Sequence, residues 1–328
     1  MNKSDIYSMI QNETWTPTPL LKANVLSDLL NSDIWLKRED CTPVKSFKLR
    51  GALSVLGDLA DSDTSVKKIV AASAGNYGLA IAEACKRNNV ESIIFVPEDA
   101  NISKIERIKL TGSEVIKTGR DFDDAKLNAK KYAEDTGLLF LEDGKLPGMH
   151  MGAETIGNEI IESNFDYVFV PIGNGSLISG IGNAVKDRTN NTKIVGLIPS
   201  ESPSMFLALN NKNFENQTAD TIADGLSVRN PVIDSVNLVK EIVDDVLLVE
   251  EDLLMKSMKS FIDYENLLVE PSAAITLAGF VQYRDKFPDK SKICFIITGG
   301  LVDPRMVDNI ISEKGLIWIR NGYWIKDQ

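Results

Sequence analysis

The 328-residue sequence predicts an α/β protein in which mostly parallel sheet is covered by helices on both faces. Three observations carry that expectation. Short apolar runs alternate with amphipathic stretches of helical length, the pattern of strands buried on both sides. Two of those runs end in glycine turns that enter helical segments directly, as doubly wound sheets do at their ligand-binding ends. No apolar run reaches membrane-spanning length.

Taken in order, Ile34–Lys37 reads as a short strand and Phe47–Leu59 as the helix after it. Lys68–Ala72 is a strand, then a glycine turn, then the helical stretch Leu79–Arg87. Ser92–Pro97 and Ile102–Leu110 repeat the alternation, and Glu114–Lys117 precedes a long helix over Asp121–Thr136. Asp121, Asp123 and Asp124 place negative charge at that helix start, where the dipole welcomes it. Leu138–Leu141 closes the series. The pattern resumes with a helix over Thr155–Glu162, a strand over Asp166–Pro171, a helix over Ile178–Asp187 and a strand over Lys193–Ile198. A helix over Glu251–Tyr264 and a strand over Lys292–Ile297 come late. There is no internal repeat, and the turn-rich stretch Asp143–Gly148 is the best place for the chain to cross between domains.

Composition narrows the function. A net charge of −11 argues against a nucleic-acid partner, so an anionic ligand must be held by local donors. Cys41, Cys85 and Cys294 are odd in number and widely spaced, as reduced thiols in a cytoplasmic protein would be. The opening Met1–Asp5 lacks a signal-peptide apolar core, which fits the same compartment. The single histidine, His150, excludes a multi-histidine metal centre and a Ser-His-Asp triad; a structural role is expected for it.

The most chemically pointed segment is Ser46-Phe47-Lys48-Leu49-Arg50-Gly51-Ala52. A nucleophilic lysine needs apolar surroundings or a cationic neighbour. Phe47 and Leu49 offer the first and Arg50 the second. After the strand ending at Ala72 comes Ser73-Ala74-Gly75-Asn76, whose hydroxyl, amide and backbone N–H groups suit an oxygen anion. After Pro171 comes Ile172-Gly173-Asn174-Gly175-Ser176-Leu177, where glycines let successive N–H groups approach a phosphate. Neither turn is GxGxxG, and there is no GxxxxGK[ST], so a nucleotide-binding oxidoreductase is poorly supported.

A reactive lysine with a phosphate cradle and a carboxylate-binding turn is what a pyridoxal phosphate enzyme needs. Over nearly its whole length the chain resembles the fold-type II pyridoxal phosphate enzymes, nearest the threonine/serine dehydratase and serine racemase group. Thr18-Pro19-Leu20, the Lys48 motif, the Ser73–Asn76 loop, Ala223-Asp224-Gly225 and Glu270-Pro271-Ser272-Ala273-Ala274 all have counterparts there.

That resemblance implies two open, twisted, mostly parallel sheets flanked by helices, like the tryptophan synthase β subunit. It implies a large cofactor-binding domain from residues 1–66 and 146–328, with residues 67–145 as a small substrate-loop domain. Lys48 would carry pyridoxal 5'-phosphate and later move the Cα proton. Phe47 would flank the cofactor, and Asn76 would bond its ring hydroxyl. Ser73, with Ala74, Gly75 and Asn76, would bind the substrate carboxylate. Gly173, Asn174, Gly175, Ser176 and Leu177 would hold the phosphate. Thr298 would set a neutral hydroxyl against the pyridine nitrogen, which favours rapid elimination over a long-lived carbanion.

The departures from the pattern carry information. Asn174 and Ser176 interrupt a loop that dehydratases usually build from four glycines. Thr298-Gly299-Gly300-Leu301-Val302-Asp303-Pro304 partly echoes threonine synthases, whereas Leu49 and Ala74 do not. Racemases place a serine where Ala74 stands, so efficient racemisation is not expected. Ile198 and Ser204 stand where racemase-type members have metal-binding carboxylates, so no metal site is expected. About 28 residues follow Gly300, too few for a regulatory amino-acid-binding domain. The aromatics Trp318, Tyr323 and Trp324 are expected to pack on the body or on a second copy in a homodimer.

Three other residues receive plain readings. Glu39 and Asp40 are expected to be solvated loop charges, and Glu270 a helix N-cap. The expected activity is cytoplasmic β-elimination of a β-hydroxy amino acid, threonine or serine or a bulkier relative, to a 2-oxo acid and ammonia. The alternatives are a threonine synthase-like or cysteine synthase-like replacement, or a silent protein that binds the cofactor or an amino acid. No nucleic acid and no membrane is expected as a partner.

Overall fold

The computed structural model describes residues 17–61, 66–143, 146–189, 191–316, 319–320 and 323–324. Its strands in chain order are β1 (Leu20–Lys22), β2 (Asp33–Arg38), β3 (Lys68–Ala72), β4 (Glu91–Val96), β5 (Glu114–Lys117) and β6 (Leu139–Leu141). They continue with β7 (Tyr167–Pro171), β8 (Lys193–Pro199), β9 (Asp245–Val249), β10 (Lys292–Ile297), β11 (Ile319–Arg320) and β12 (Tyr323–Trp324). The described residues fall into two compact units, Thr42–Thr155 and Pro17–Cys41 with Ile156–Gln328. Among them, no helix is long and apolar enough to cross a membrane.

The Thr42–Thr155 unit carries a four-stranded, wholly parallel sheet in the order β5-β4-β3-β6. On one face of that sheet, Val70 and Ala72 of β3 and Ile93 and Phe95 of β4 pack on Ala129 and Ala133 of the Phe122–Thr136 helix. The other unit carries a six-stranded sheet in the order β1-β2-β10-β7-β8-β9, parallel except for β1. Its core centres on Phe169, Phe280, Phe287 and Phe295, whose ring centroids lie 5.0 to 5.8 Å apart in tilted and edge-on pairs.

Three strands have the bounds their sequence predicts: Lys68–Ala72, Glu114–Lys117 and Lys292–Ile297. Three helices start earlier than predicted, the one predicted from Ile178 by two residues, at Ser176. The helix after β3 begins at Asn76, because Gly78 lets the chain fold back to where a Cβ would stand 2.1 Å from Ser73 O. The helix predicted from Thr155 begins at Pro147, which suits a first helical position because it has no N–H to leave unsatisfied. The Pro271–Gln282 helix escaped the periodicity altogether. Nearly all of it is buried, so it has no polar stripe to reveal its turn. The readings on Met1–Asp5 and on the side chains of Trp318, Tyr323 and Trp324 lie outside the described residues.

Glu39 and Asp40 are not solvated loop charges. Glu39 is fully buried and Asp40 is 8% exposed. The cause is the end of β2. Lys37, itself buried, donates to Glu159 and to Thr18 O (2.6 Å), while Thr18 Oγ1 donates to Glu39 (2.6 Å). Arg38 holds Asp40 in a two-pronged pair at 2.8 and 2.7 Å. Carboxylates buried beside cations and donors escape the cost that would keep them at the surface.

Within the Thr42–Thr155 unit, the Lys48–Asp61 and Pro147–Ile160 helices meet through glycine. A Cβ on Gly51 would lie 2.8 Å from Met149 Cα, one on Gly148 2.8 Å from Val55 N, and one on Gly152 2.4 Å from Arg50 C. Backbone sits on the other side of each contact, so no rotamer change relieves a larger residue. Gly152→Ala is therefore expected to lose roughly 1–3 kcal/mol of stability, the usual cost of overpacking. Urea denaturation followed by circular dichroism checks it; an unchanged midpoint would contradict the close approach.

Candidate active site

The candidate residues fall into two sets, one in each unit. In the Thr42–Thr155 unit, the chain enters the Lys48 helix through a tight turn. Thr42 Oγ1 donates to Ser46 O (2.8 Å) and accepts from Ser46 N (2.9 Å), and Lys45 takes a left-handed φ of 62° to close it. Lys48 is the first residue of the Lys48–Asp61 helix. Leu49 and Arg50, next along, are fully buried, and the Arg50 guanidinium donates to Thr155 Oγ1 (2.9 Å).

The structure gives Lys48 a carboxylate neighbour that the sequence did not point to. That neighbour is Asp143, whose two carboxylate oxygens accept from Lys48 Nζ at 2.8 and 3.1 Å. The ammonium also lies 5.4 Å from the centre of the Phe47 ring and 5.8 Å from that of Tyr77. Tyr77 is buried, and its hydroxyl donates to Leu141 O (3.1 Å) at the end of β6. Burial first, then the nearby Asp143 charge, holds that hydroxyl well on the protonated side.

Ser73 follows β3 with its N–H bonded to Phe95 O (3.0 Å), and its Oγ accepts from Gly75 N (3.1 Å). Gly75 caps the next helix in extended geometry, so Asn76 opens that helix. Ser73, Ala74, Gly75 and Asn76 thus form a single turn aimed along a helix start, as the motif implies, and the N–H groups of its first turn have no helical partner.

His150 belongs to the Pro147–Ile160 helix, and its Nδ1 is buried without a partner. Burial pushes its pKa below the ordinary 6.5 and the Lys48 charge pushes the same way, while Glu154 and Asp143 pull it back in part. Asp143 and Tyr77 were not singled out by sequence, and His150 was given only a structural role. Asp143 read as turn punctuation beside a glycine, and a lone histidine or tyrosine carries no motif.

In the other unit, β7 ends at Pro171, and Ile172 N is tied to Leu197 O (2.8 Å). Gly173 passes so close to Gly225 that a Cβ on it would lie 2.8 Å from Gly225 O. Gly175 caps the Ser176–Lys186 helix with φ of 89°, where a side chain is strained in any surroundings. Ser176 Oγ, at the first residue of that helix, is buried with no partner, and so is Ser272 Oγ beside Gly225. Leu177 is buried behind it and anchors the turn. A glycine cradle, a helix N-terminus and an orphaned buried hydroxyl are a donor set made for an oxyanion, and a phosphate fits it.

Thr298 follows β10 and donates its hydroxyl proton to Glu270 Oε1 (3.2 Å), both residues being buried. Its oxygen therefore keeps lone pairs to offer. Glu270 occupies the N-cap position by backbone geometry, yet its side chain makes no capping bond. The N-cap reading is corrected accordingly: the carboxylate lies over Gly299, where a Cβ would stand 2.6 Å from it.

A family model described as pyridoxal-phosphate dependent enzyme matches residues 12–299. The chain belongs to the pyridoxal-phosphate dependent enzyme family. Among its relatives, the L-threonine ammonia-lyase of Thermotoga maritima is 32% identical over 303 residues, covering 92% of this chain and 75% of that one. The biosynthetic L-threonine dehydratase of Staphylococcus aureus is 32% identical over 312 residues, covering 92% and 73%. Among solved structures, the processed threonine deaminase isoform 2 of Solanum lycopersicum superposes with a TM-score of 0.88 at 31% identity, covering 94% of this chain and 91% of that one. Maize serine racemase superposes at 0.84 with 26% identity, covering 94% of each chain. The fold is thus fold-type II, and its cofactor is pyridoxal phosphate.

The depressed His150 pKa has a consequence for stability. The unfolded chain takes up this proton near pH 6.5, while the folded chain takes it up only at lower pH. Between those two values the unfolded state binds more protons, so folding weakens as pH falls. The melting temperature of this member of the family is expected to drop from about pH 7.5 to about pH 5.5, and His150→Gln to shrink that drop. An identical pH dependence in the two proteins would refute the assignment.

Proposed function

We propose that the protein catalyses β-elimination of a β-hydroxy amino acid, L-threonine or L-serine or a bulkier relative, to a 2-oxo acid and ammonia. The observation that carries this reading is Lys48 at the head of its helix, in a chain of this family whose relatives at 32% identity are named for threonine. Pyridoxal phosphate, when bound, supplies an electron sink that makes the Cα–H of a bound amino acid acidic.

The chain's own groups divide the remaining work. Lys48 would hold the cofactor and would take the Cα proton of a bound substrate as a general base. Ser73 Oγ and the N–H groups of Ala74, Gly75 and Asn76 hold the substrate carboxylate, and Asn76 also orients the cofactor through its ring hydroxyl. Phe47 flanks the cofactor. Gly173, Asn174, Gly175, Ser176 and Leu177 hold the phosphate through N–H groups and the Ser176 hydroxyl. Thr298 would set a neutral hydroxyl against the pyridine nitrogen, an environment that would favour departure of the β-hydroxyl.

Residues 67–145 act in this reading as the substrate-loop domain and the rest as the cofactor domain. A homodimer working in the cytoplasm completes it.

The purified protein is expected to be yellow, and borohydride to fix the cofactor on a peptide containing Lys48. Threonine, serine or a 3-substituted serine should release 2-oxo acid and ammonia with no second substrate. The Thr298–Pro304 echo of threonine synthases supplies the competing reading. If those substrates stay inert while phosphohomoserine, or acetylserine with a nucleophile, turns over, the reaction is replacement.

Ala74 offers no proton on the far face of the substrate. The enzyme should therefore form no appreciable D-amino acid, and Ala74→Ser should introduce some, since a positioned acid or base contributes ~10²–10⁴-fold. Chiral chromatography reads both. Abundant D-product from the wild type would place another group on that face.

A further inference from the structure

Lys48 Nζ sits in a box that recognises ammonium: a carboxylate bound through both oxygens, with Phe47 and Tyr77 rings on other sides. Asp143 is in turn reached by solvent, with 27% of its side chain exposed against 17% for Lys48. The groups around the pair are Tyr77 on the Asn76–Arg87 helix, Glu142 beside Asp143, and His150 and Glu154 on the Pro147–Ile160 helix. Tyr77 is kept protonated and His150 neutral by burial, so neither competes as a charge-carrying partner. Glu142 is itself paired with Lys126 (2.7 Å).

We infer that Asp143 is the proton acceptor for the exchange in which the substrate's amino group replaces Lys48 on the cofactor. The inference rests on the function proposed above. Once Lys48 is bound covalently, the box that matched its ammonium is ready for another one, and the substrate brings it. Amino acids arrive as ammonium ions, which have no lone pair for attack. Asp143 takes one proton from that nitrogen, and the freed lone pair forms the new carbon–nitrogen bond. A second proton then passes from the same nitrogen to the nitrogen of Lys48, and the bond to Lys48 breaks. Lys48 leaves as a neutral amine, with the first proton on Asp143. The Lys48–Asp143 pair then holds the same one proton as in the ion pair of the cofactor-free protein, now on the carboxylate. A neutral amine is the form of Lys48 that can take the Cα proton.

The test separates exchange from elimination. Holoenzyme is mixed in a stopped-flow cell with L-alanine, which has the amine and carboxylate but no leaving group, and the change in cofactor absorbance is timed. With Asp143→Asn, cofactor uptake should stay at one per chain, while exchange near neutral pH slows by ~10²–10⁴-fold, the usual contribution of a general base. The residual rate should climb with pH in proportion to free alanine amine. Asp143→Glu should recover most of the wild-type rate. Exchange at the wild-type rate in Asp143→Asn, or loss of cofactor uptake in that variant, overturns the assignment. Normal exchange with alanine but no 2-oxo acid from any hydroxy amino acid sinks the elimination reading and leaves this one standing.

Discussion

The Lys48 region depends on the approach of two helix backbones through Gly51, Gly148 and Gly152. Side chains of ordinary size would hold the Lys48–Asp61 and Pro147–Ile160 helices apart. With glycine there, the helices lock at backbone distance, and dense packing transmits any displacement. The contact fixes the Arg50 guanidinium on Thr155, whose own hydroxyl donates to Gly152 O (2.6 Å). It fixes His150 in the electrostatic range of Lys48, and it fixes the turn carrying Asp143 just before the second helix begins. A reactive lysine held this way has its partners set by backbone, not by flexible side chains.

Much of the fold was legible because parallel strands announce themselves. Lys68–Ala72 and Lys292–Ile297 are nearly continuous apolar runs, and burial on both faces leaves no other reading of them. The two glycine turns were legible because they are local: Ser73–Asn76 and Gly173–Leu177 are each one turn of adjacent residues that enters a helix. What escaped was non-local or hidden by burial. Glu39 looked solvated because nothing near it in sequence shows that Thr18 and the end of β2 enclose it. Asp143 lies 95 residues from Lys48, and no spacing rule joins them. Glu270 matched an N-cap by position, yet its carboxylate goes to a threonine 28 residues on.

The Thr298–Glu270 bond bears on reaction type. A hydroxyl that donates to a buried carboxylate is oriented, and it cannot also donate elsewhere. To meet an unprotonated pyridine nitrogen, as the function proposed above requires, Thr298 would have to turn its proton from Glu270 to that nitrogen. A carboxylate in that place would hold the nitrogen protonated and deepen the electron sink. A neutral donor would make a shallower sink and so favour departure of a good β-leaving group. In the same proposal Ala74 would have no proton to return to the substrate.

The chain's acidity sets one further condition. A net charge of −11 repels a phosphate and a carboxylate at a distance, yet screening limits that field to a range of about 8 Å at physiological salt. Within that range local groups decide. At the Ser176 helix start, roughly half a positive charge from the helix dipole joins the orphaned hydroxyl and the N–H groups that Gly173 and Gly175 leave open. None of these donors is cationic, so none is neutralised by the surrounding carboxylates. An acidic protein that must hold anions is better served by backbone N–H groups than by lysines. In the proposed function Lys48, in the Thr42–Thr155 unit, has no phosphate-binding duty, and it pairs with a carboxylate.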